Sequence, residues 1–322
     1  MSLIVQKFGG SSVRDAEHIL RAAHIIKSAF DAGNDVIVVV SAQGDTTDEL
    51  LKKAAPFTPS ARELDALLAT GEAASAALMA MALAQIGVPA VSLNAWQVPI
   101  HTDGSHGNAH VTGIAHERVE RELKQHCAVV IAGFQGVDPY GDLTTLGRGG
   151  SDTSAAALAD AFRADRCRIY TDVDGVYTAD PRICPAARHL EEISYTHMRL
   201  LAEHGAQVLH GRSVELAAAA GLTLEVLSCE PGSTGTRVTA EADCGEITGV
   251  TRLVSDRAVF AAVTIVGRGV PSLKNEKRAI LALEERAIEV YAIDVQEDCL
   301  TLYVERERAD EALCVVHGAF FD

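Results

Sequence analysis

Apolar positions along this chain follow two patterns: short unbroken β-branched runs, and longer stretches with three- and four-residue spacing. Leu3–Phe8 predicts a short strand running into Gly9-Gly10-Ser11-Ser12. Ile19, Leu20, Ala23, Ile26 and Phe30 then recur at helical spacing, and Gly33 supplies a stop. Asp35–Ser41 is a continuous β-branched run, the pattern of a strand buried on both faces of a parallel sheet. The first forty residues therefore read as β-α-β.

The same reading predicts a long helix over Ser60–Ile86 and a strand over Pro89–Leu93. Ala95–Asn108 has no periodicity and reads as an extended surface loop. A helix over His116–Gln125, a strand over Ala128–Phe134 and a loop over Gly136–Gly150 follow. Asp152–Phe162 reads as helix, Arg168–Thr171 as strand, Tyr195–Glu203 and Ser213–Ala220 as helices, and Leu224–Ser228 as strand. Alternating strands and helices predict an α/β architecture, a mostly parallel sheet covered on both faces. After Ser228 the pattern changes at a turn-rich boundary, Pro231-Gly232-Ser233-Thr234-Gly235. Beyond it come strand Val259–Val266, helix Glu276–Arg286, strands Ile288–Val295 and Cys299–Val304, and helix Ala309–Gly318. That order predicts a small α+β unit of about eighty residues.

With 322 residues, 48% hydrophobic and 22% charged, the composition excludes disorder, collagen and coiled coil as the dominant state. No apolar run approaches the ~20 residues of a membrane helix, and the N-terminus lacks the features of a signal peptide. The net charge of −16 argues against nucleic acid or an anionic membrane as partner. A phosphate ligand would therefore need a local cluster of Lys or Arg. Seven cysteines without C-x-x-C spacing point away from disulfides and zinc ribbons, and toward a reducing, cytoplasmic location.

Three segments carry candidate chemistry. Lys7-Phe8-Gly9-Gly10-Ser11-Ser12 ends a strand and opens a helix, where unpaired N–H groups favour an anion; the alternative is a tight turn with a serine cap. It is not a P-loop, because no Gly-Lys-Ser/Thr follows. Thr144-Thr145-Leu146-Gly147-Arg148-Gly149-Gly150-Ser151-Asp152 repeats the glycine-and-hydroxyl pattern, with a guanidinium suited to carboxylate or phosphate. Asp152 is either a helix cap or a partner of Lys7. Tyr170–Arg182 follows another strand and contains ordinary Asp-Gly and Asp-Pro turn pairs.

Together, KFGGSSV, VVVSAQGDTTDEL, LLATGEAASAALMAMAL, VVIAGFQGV, TTLGRGGSDTSAAALA, YTDVDGVYTADPRI and HGRSVELA resemble the aspartate branch of the amino acid kinase family, in order over residues 1–238. The resemblance implies a three-layer αβα catalytic domain over 1–238 and a single ACT-like regulatory or dimerisation domain over 239–322. It implies ATP-dependent phosphorylation of L-aspartate to 4-phospho-L-aspartate, the entry to lysine, threonine and methionine biosynthesis. The rivals are a related kinase of another substrate and a non-catalytic amino acid sensor.

By the same resemblance Lys7, Gly9, Gly10 and Ser11 hold the ATP phosphates, with Lys7 and Asp152 catalytic. Ser41, Thr47, Glu72, Arg148 and Ser151 line the substrate pocket, Glu72 taking the ammonium and Arg148 a carboxylate. Thr171, Asp172, Tyr177, Arg182 and Gln207 surround the nucleotide. Gln207 stands where the family pattern carries lysine. Mg²⁺ is expected to ride on the ATP phosphates without a protein ligand set. From the residues alone, Thr47 reads equally as a helix cap and Glu72 as a solvated helix charge. A homodimer through the ACT-like unit is expected, with its last strand supplied by Glu246–Thr251.

Overall fold

The computed structural model describes residues 2–230, 232–242, 245–255 and 258–321. Pro231, the first residue of the turn-rich boundary, lies outside them. The chain divides into two compact units, Met1–Asp174 with Leu216–Ser233, and Gly175–Glu215 with Thr234–Asp322.

Six parallel strands run through the first unit: β1 (Leu3–Phe8), β2 (Asp35–Val40), β3 (Ala90–Leu93), β4 (Ala128–Ala132), β5 (Arg166–Thr171) and β6 (Leu224–Ser228). Their order is β6-β5-β1-β2-β4-β3. The β-branched runs of β2 and β4 are buried on both faces, which is why they show no polar alternation. One face packs Ile4, Phe8, Val36, Val38, Val40 and Val130 against helices α1 (Ala16–Asp31) and α3 (Ala61–Gln85). Asp15 and Ser60 cap these helices, accepting from His18 N at 3.0 Å and Glu63 N at 3.3 Å. The opposite face carries α5 (Gly150–Ala161), which packs on β1, β2 and β5; α4 (Glu117–Leu123) precedes it in the chain, and α6 (Tyr195–Glu203) and α7 (Gly211–Ala220) follow it. The unit is thus a three-layer αβα sandwich.

The strand order also locates a crevice. From β1 the chain moves to β2 on one side, and later returns to β5 on the other. Such a reversal opens the sheet at the carboxyl end of β1, where α/β folds bind ligands.

Three stretches differ from the sequence reading. Residues 95–108 are not a surface loop throughout: Ala95, Val98 and Ile100 are buried, and Ile100–Thr102 is a strand. It joins Val111–Ile114, Gln135–Val137 and Leu143–Thr145 in a second, four-stranded sheet, so Gly136–Gly150 is partly a hairpin. Strands of three or four residues are too short for their alternation to be read. Helix α2 (Thr46–Ala54) has no apolar spacing to announce it, because its polar sequence leaves only Leu50 and Ala54 buried.

In the second unit β7 (Gly249–Leu253), β8 (Phe260–Val266), β9 (Ala292–Gln296) and β10 (Cys299–Glu305) form an antiparallel sheet in the order β7-β8-β10-β9. Helices α8 (Leu273–Glu284) and α9 (Ala309–Phe321) cover it, burying Val263, Ile265, Leu283, Leu302, Leu313 and Val316. This is the expected strand-helix-strand-strand-helix order. The preceding segment supplies the fourth strand, since β7 pairs antiparallel with β8. Helix α8 starts three residues earlier than its apolar spacing implies, because Ser272 accepts from Asn275 N at 3.2 Å and caps it.

Candidate active site

Lys7 is the next-to-last residue of β1, facing Val39 of β2 and Ile169 of β5 across the ladders. Strand alternation turns it with Val5 toward α5. Only 7% exposed, its Nζ lies 2.6 Å from Asp152 Oδ1, and Asp152 is 5% exposed. The contact is an ion pair rather than a directed hydrogen bond. Asp152 is not the helix cap: that position is Gly149, whose φ of +66° suits glycine. The alternative reading of Asp152 as a cap is therefore set aside.

After Phe8, whose ring stacks on Tyr170 at 4.7 Å, the chain enters a tight turn. Gly9 N donates to Tyr170 O at 3.1 Å, and Ser12 N to Gly9 O at 2.9 Å. The two glycines have different reasons. A Cβ on Gly9 would point at Lys7 Nζ, 3.4 Å away, so its bareness opens space beside the ammonium. A Cβ on Gly10 would strike the Ala42 carbonyl oxygen at 2.8 Å, so Gly10 serves internal packing against residues 42–44. Gly44 N donates to Gly10 O at 3.0 Å and completes that contact. Ser11 is exposed on the turn Gly10–Val13.

Glu72 lies in α3 and is 4% exposed, which overturns the solvated-charge reading. Its Oε1 accepts from Ala42 N at 3.2 Å, and its Oε2 is buried without a partner. Burial pushes its carboxyl up to about 7. Gly71 lets α3 approach so closely that a Cβ there would lie 2.9 Å from Ala42 Cβ. Ser41, half-buried, follows β2 and donates from N to Phe8 O at 3.1 Å. Thr47, also half-buried, sits inside the first turn of α2, whose cap position is Asp45, so Thr47 is not the cap.

Ser151 is buried in the first turn of α5, against Gly133, where a Cβ would meet Ser151 Cβ at 2.9 Å. Arg148 stands between Gly147 and Gly149, both with left-handed φ. It is exposed, with no ion-pair partner among the described residues. A buried ammonium, a buried carboxylate with one free oxygen and a free guanidinium thus belong to the same unit.

Of the five residues expected around a nucleotide, Thr171 ends β5 in this unit and Asp172 follows it, and Thr171 Oγ1 donates to Asp172 Oδ1 at 3.1 Å. Tyr177, Arg182 and Gln207 belong to the second unit. There the Tyr177 ring meets His189 edge-on at 5.3 Å. Arg182 grips Asp180 with Nε at 3.0 Å and Nη2 at 2.8 Å, holding that carboxyl below its ordinary range. Gln207 is exposed. Among the described residues no three His, Cys, Asp or Glu side chains gather in a metal-binding group. Among the described residues, the carboxylate paired with Lys7 is Asp152, an oxygen donor of the kind Mg²⁺ accepts.

Sequence reasoning missed one buried group, Asp65, which is 1% exposed on α3 seven residues before Glu72. The spacing i, i+7 places both carboxylates on one helix face, a signal present in the sequence.

The amino acid kinase family model matches residues 2–228. The chain is 43% identical to an aspartokinase of Bacillus sp. (strain MGA3) over 326 residues, spanning 99% of this chain and 79% of that protein. It is 41% identical to an aspartate kinase of Pseudomonas putida over 319 residues, spanning 98% and 76%. Among solved structures, Escherichia coli aspartokinase III in complex with aspartate and ADP superposes with a TM-score of 0.87 at 22% identity, covering 99% of this chain and 100% of that one. Aspartate kinase from Synechocystis gives a TM-score of 0.67 at 31% identity, covering 99% and 69%. The family model spans well over half of the chain, and the chain belongs to the amino acid kinase family.

Proposed function

We propose that this protein transfers the γ-phosphoryl group of ATP to the side-chain carboxylate of L-aspartate, giving 4-phospho-L-aspartate and ADP. The observation that carries this reading is the buried Lys7–Asp152 pair at the open carboxyl end of β1. An aspartate carboxylate oxygen attacks the γ-phosphorus, and the bond to the β–γ bridging oxygen breaks, leaving ADP. Both nucleophile and leaving group are anions, so the protein's task is alignment and charge neutralisation. Lys7 offers a positive charge already desolvated and fixed, which costs no reorganisation during the reaction. Asp152 holds that ammonium in place. Gly9, Gly10 and Ser11 cradle the phosphates at the turn beside Lys7. Mg²⁺, held mainly by the nucleotide itself, would supply further charge neutralisation.

Glu72 takes the substrate ammonium with its free Oε2, and Arg148 grips the α-carboxylate, with Ser41, Thr47 and Ser151 lining the pocket. Thr171 and Asp172 are the nucleotide contacts that the first unit supplies in this reading. The product is an acyl phosphate, made in the cytoplasm for lysine, threonine and methionine biosynthesis. ADP release with Mg-ATP and a panel of amino acids tests the whole reading: signal with aspartate supports it, and signal with glutamate or with no amino acid overturns it.

Arg148→Lys should raise the aspartate KM at least tenfold, because a point charge does not replace a planar two-point clamp. Steady-state kinetics with each substrate varied checks this. A change confined to the ATP KM would remove Arg148 from the pocket.

The catalytic domain is read as residues 1–238 and the ACT-like domain as 239–322, with the latter joining two copies. Strand β9 supports this: all five of its residues are exposed, Ile293 and Val295 included, and among the described residues it pairs only with β10. An unpaired edge with apolar side chains invites a second copy of itself. Light scattering should report a dimer or larger species that Val295→Lys dissociates with the circular dichroism unchanged. A monomeric wild-type chain refutes this assembly.

A further inference from the structure

Asp65 is a carboxylate with three donors and no solvent. Its Oδ1 accepts from Thr145 Oγ1 at 2.5 Å, and its Oδ2 from His106 Nδ1 at 2.9 Å and Gly107 N at 3.0 Å. Three hydrogen bonds to one buried carboxylate form a strong, charge-assisted clasp. The residues it clasps come from distant places in the chain. Asp65 lies on α3, His106 and Gly107 on the connection after Ile100–Thr102, and Thr145 at the end of the Leu143–Thr145 strand.

Those two clasped segments also grip each other. Ala109 N donates to Thr145 O at 2.9 Å. At Gly147 a Cβ would lie 2.6 Å from Asn108 Oδ1 and 3.4 Å from Gly107 O, so residues 107–108 press directly on the Gly147 backbone. Arg148 is the next residue. Its own side chain has no partner among the described residues, so its backbone alone determines where the guanidinium can reach. That backbone is left-handed on both sides, at Gly147 and Gly149, and would be free to swing if the loop beneath it loosened. Helix α3 meanwhile carries Glu72 two turns beyond Asp65 on the same face, about 10 Å away along the axis.

We propose that Asp65 is a positioning residue for substrate recognition. It ties the strand and loop under Arg148 to the helix that bears Glu72, and so fixes the distance between the two groups that read the ends of the amino acid. The inference rests on the reading of Arg148 and Glu72 as the substrate contacts. Asp65 touches no reacting atom; it acts through the backbone at 145–148.

Steady-state kinetics on Asp65→Asn, Thr145→Val and Thr145→Ser test the proposal. Thr145→Val keeps the shape and removes the donor, so the experiment does not depend on Asp65→Asn folding. Displacing a substrate-positioning group by about 1 Å can cost up to 10²-fold. Thr145→Val and Asp65→Asn should therefore raise the aspartate KM about tenfold or more, with the ATP KM within about twofold. Thr145→Ser, which restores the hydroxyl, should return the aspartate KM to the wild-type value. The double variant should be no worse than the poorer single one, since both cut the same clasp. A merely structural role would move both KM values together, or would not be rescued by serine, and either result overturns the proposal.

Amide hydrogen exchange separates this inference from the functional reading. Exchange in 103–110 and 144–150 should speed up in Thr145→Val while that of 4–8 is unchanged. Unchanged exchange in the two clasped segments refutes the clasp even if aspartate is the substrate. Faster exchange in a protein whose wild type phosphorylates another amino acid keeps the clasp and discards the aspartate reading.

Discussion

Lys7→Met should lower kcat by about 10² to 10³, the typical cost of losing one preorganised donor in a water-excluded site. The aspartate KM should change little, because Lys7 serves the phosphoryl group and not the amino acid. The variant also strands Asp152. Removing one partner of a buried ion pair destabilises a protein by about 3–5 kcal/mol, so a loss of activity alone would not separate chemistry from unfolding. The double variant Lys7→Met/Asp152→Asn does separate them. With both charges gone the pocket should regain much of the lost stability, while kcat stays at the level of the single variant. Thermal melts and ADP-release kinetics on the three proteins give the answer. Near-normal kcat in either variant would remove Lys7 from the reaction, and recovery of kcat in the double variant would mean its role is structural.

Glu72→Gln should stabilise the unliganded protein at pH 8 and spoil its recognition of aspartate. The carboxyl is raised from 4.5 to about 7 by burial. Its unfolded counterpart titrates near 4.5, so between those values the folded state holds a proton that the unfolded state has lost. The ionised group therefore penalises the unliganded fold, fully above pH 7, and the penalty fades as pH falls from 7 toward 4.5. A shift of this size corresponds to about 3 kcal/mol at alkaline pH. Glutamine carries no charge at any pH, so its melting midpoint should exceed the wild type's by several degrees at pH 8 and match it near pH 4.5.

Binding moves the opposite way. The unpartnered Oε2 is the atom that an ammonium would meet, and losing a hydrogen bond to a charged group typically costs 10- to 100-fold in affinity. The aspartate KM should rise by that factor. In the wild type it should climb as pH drops below about 7, where Glu72 takes up a proton. A flat aspartate KM from pH 8 to 6, or a Glu72→Gln protein with unchanged KM, rules out this assignment.

Much of this molecule could be read before it was folded. The β-branched runs of β2 and β4 announce strands buried on both faces, because a parallel sheet under two helical layers has no wet side to encode. Ser60 and Gly33 mark helix ends because capping is a local event. The glycine turn after Lys7 and the glycines around Arg148 are likewise visible, since a left-handed or crowded backbone leaves few residue choices. The elements, and the reactive side chains at their ends, are therefore encoded locally. Which of those ends meet depends on the packing of the whole chain. Lys7 and Asp152 are 145 residues apart, and only the order β5-β1-β2 with α5 above it brings them to 2.6 Å. Glu72 looks like any helix glutamate until Ala42 closes over it, and Asp65 gains a meaning only when a strand of the second sheet and a loop between two of its other strands converge on it. Burial is a property of the neighbours a residue acquires, and both the raised carboxyl of Glu72 and the clasp at Asp65 arise from burial.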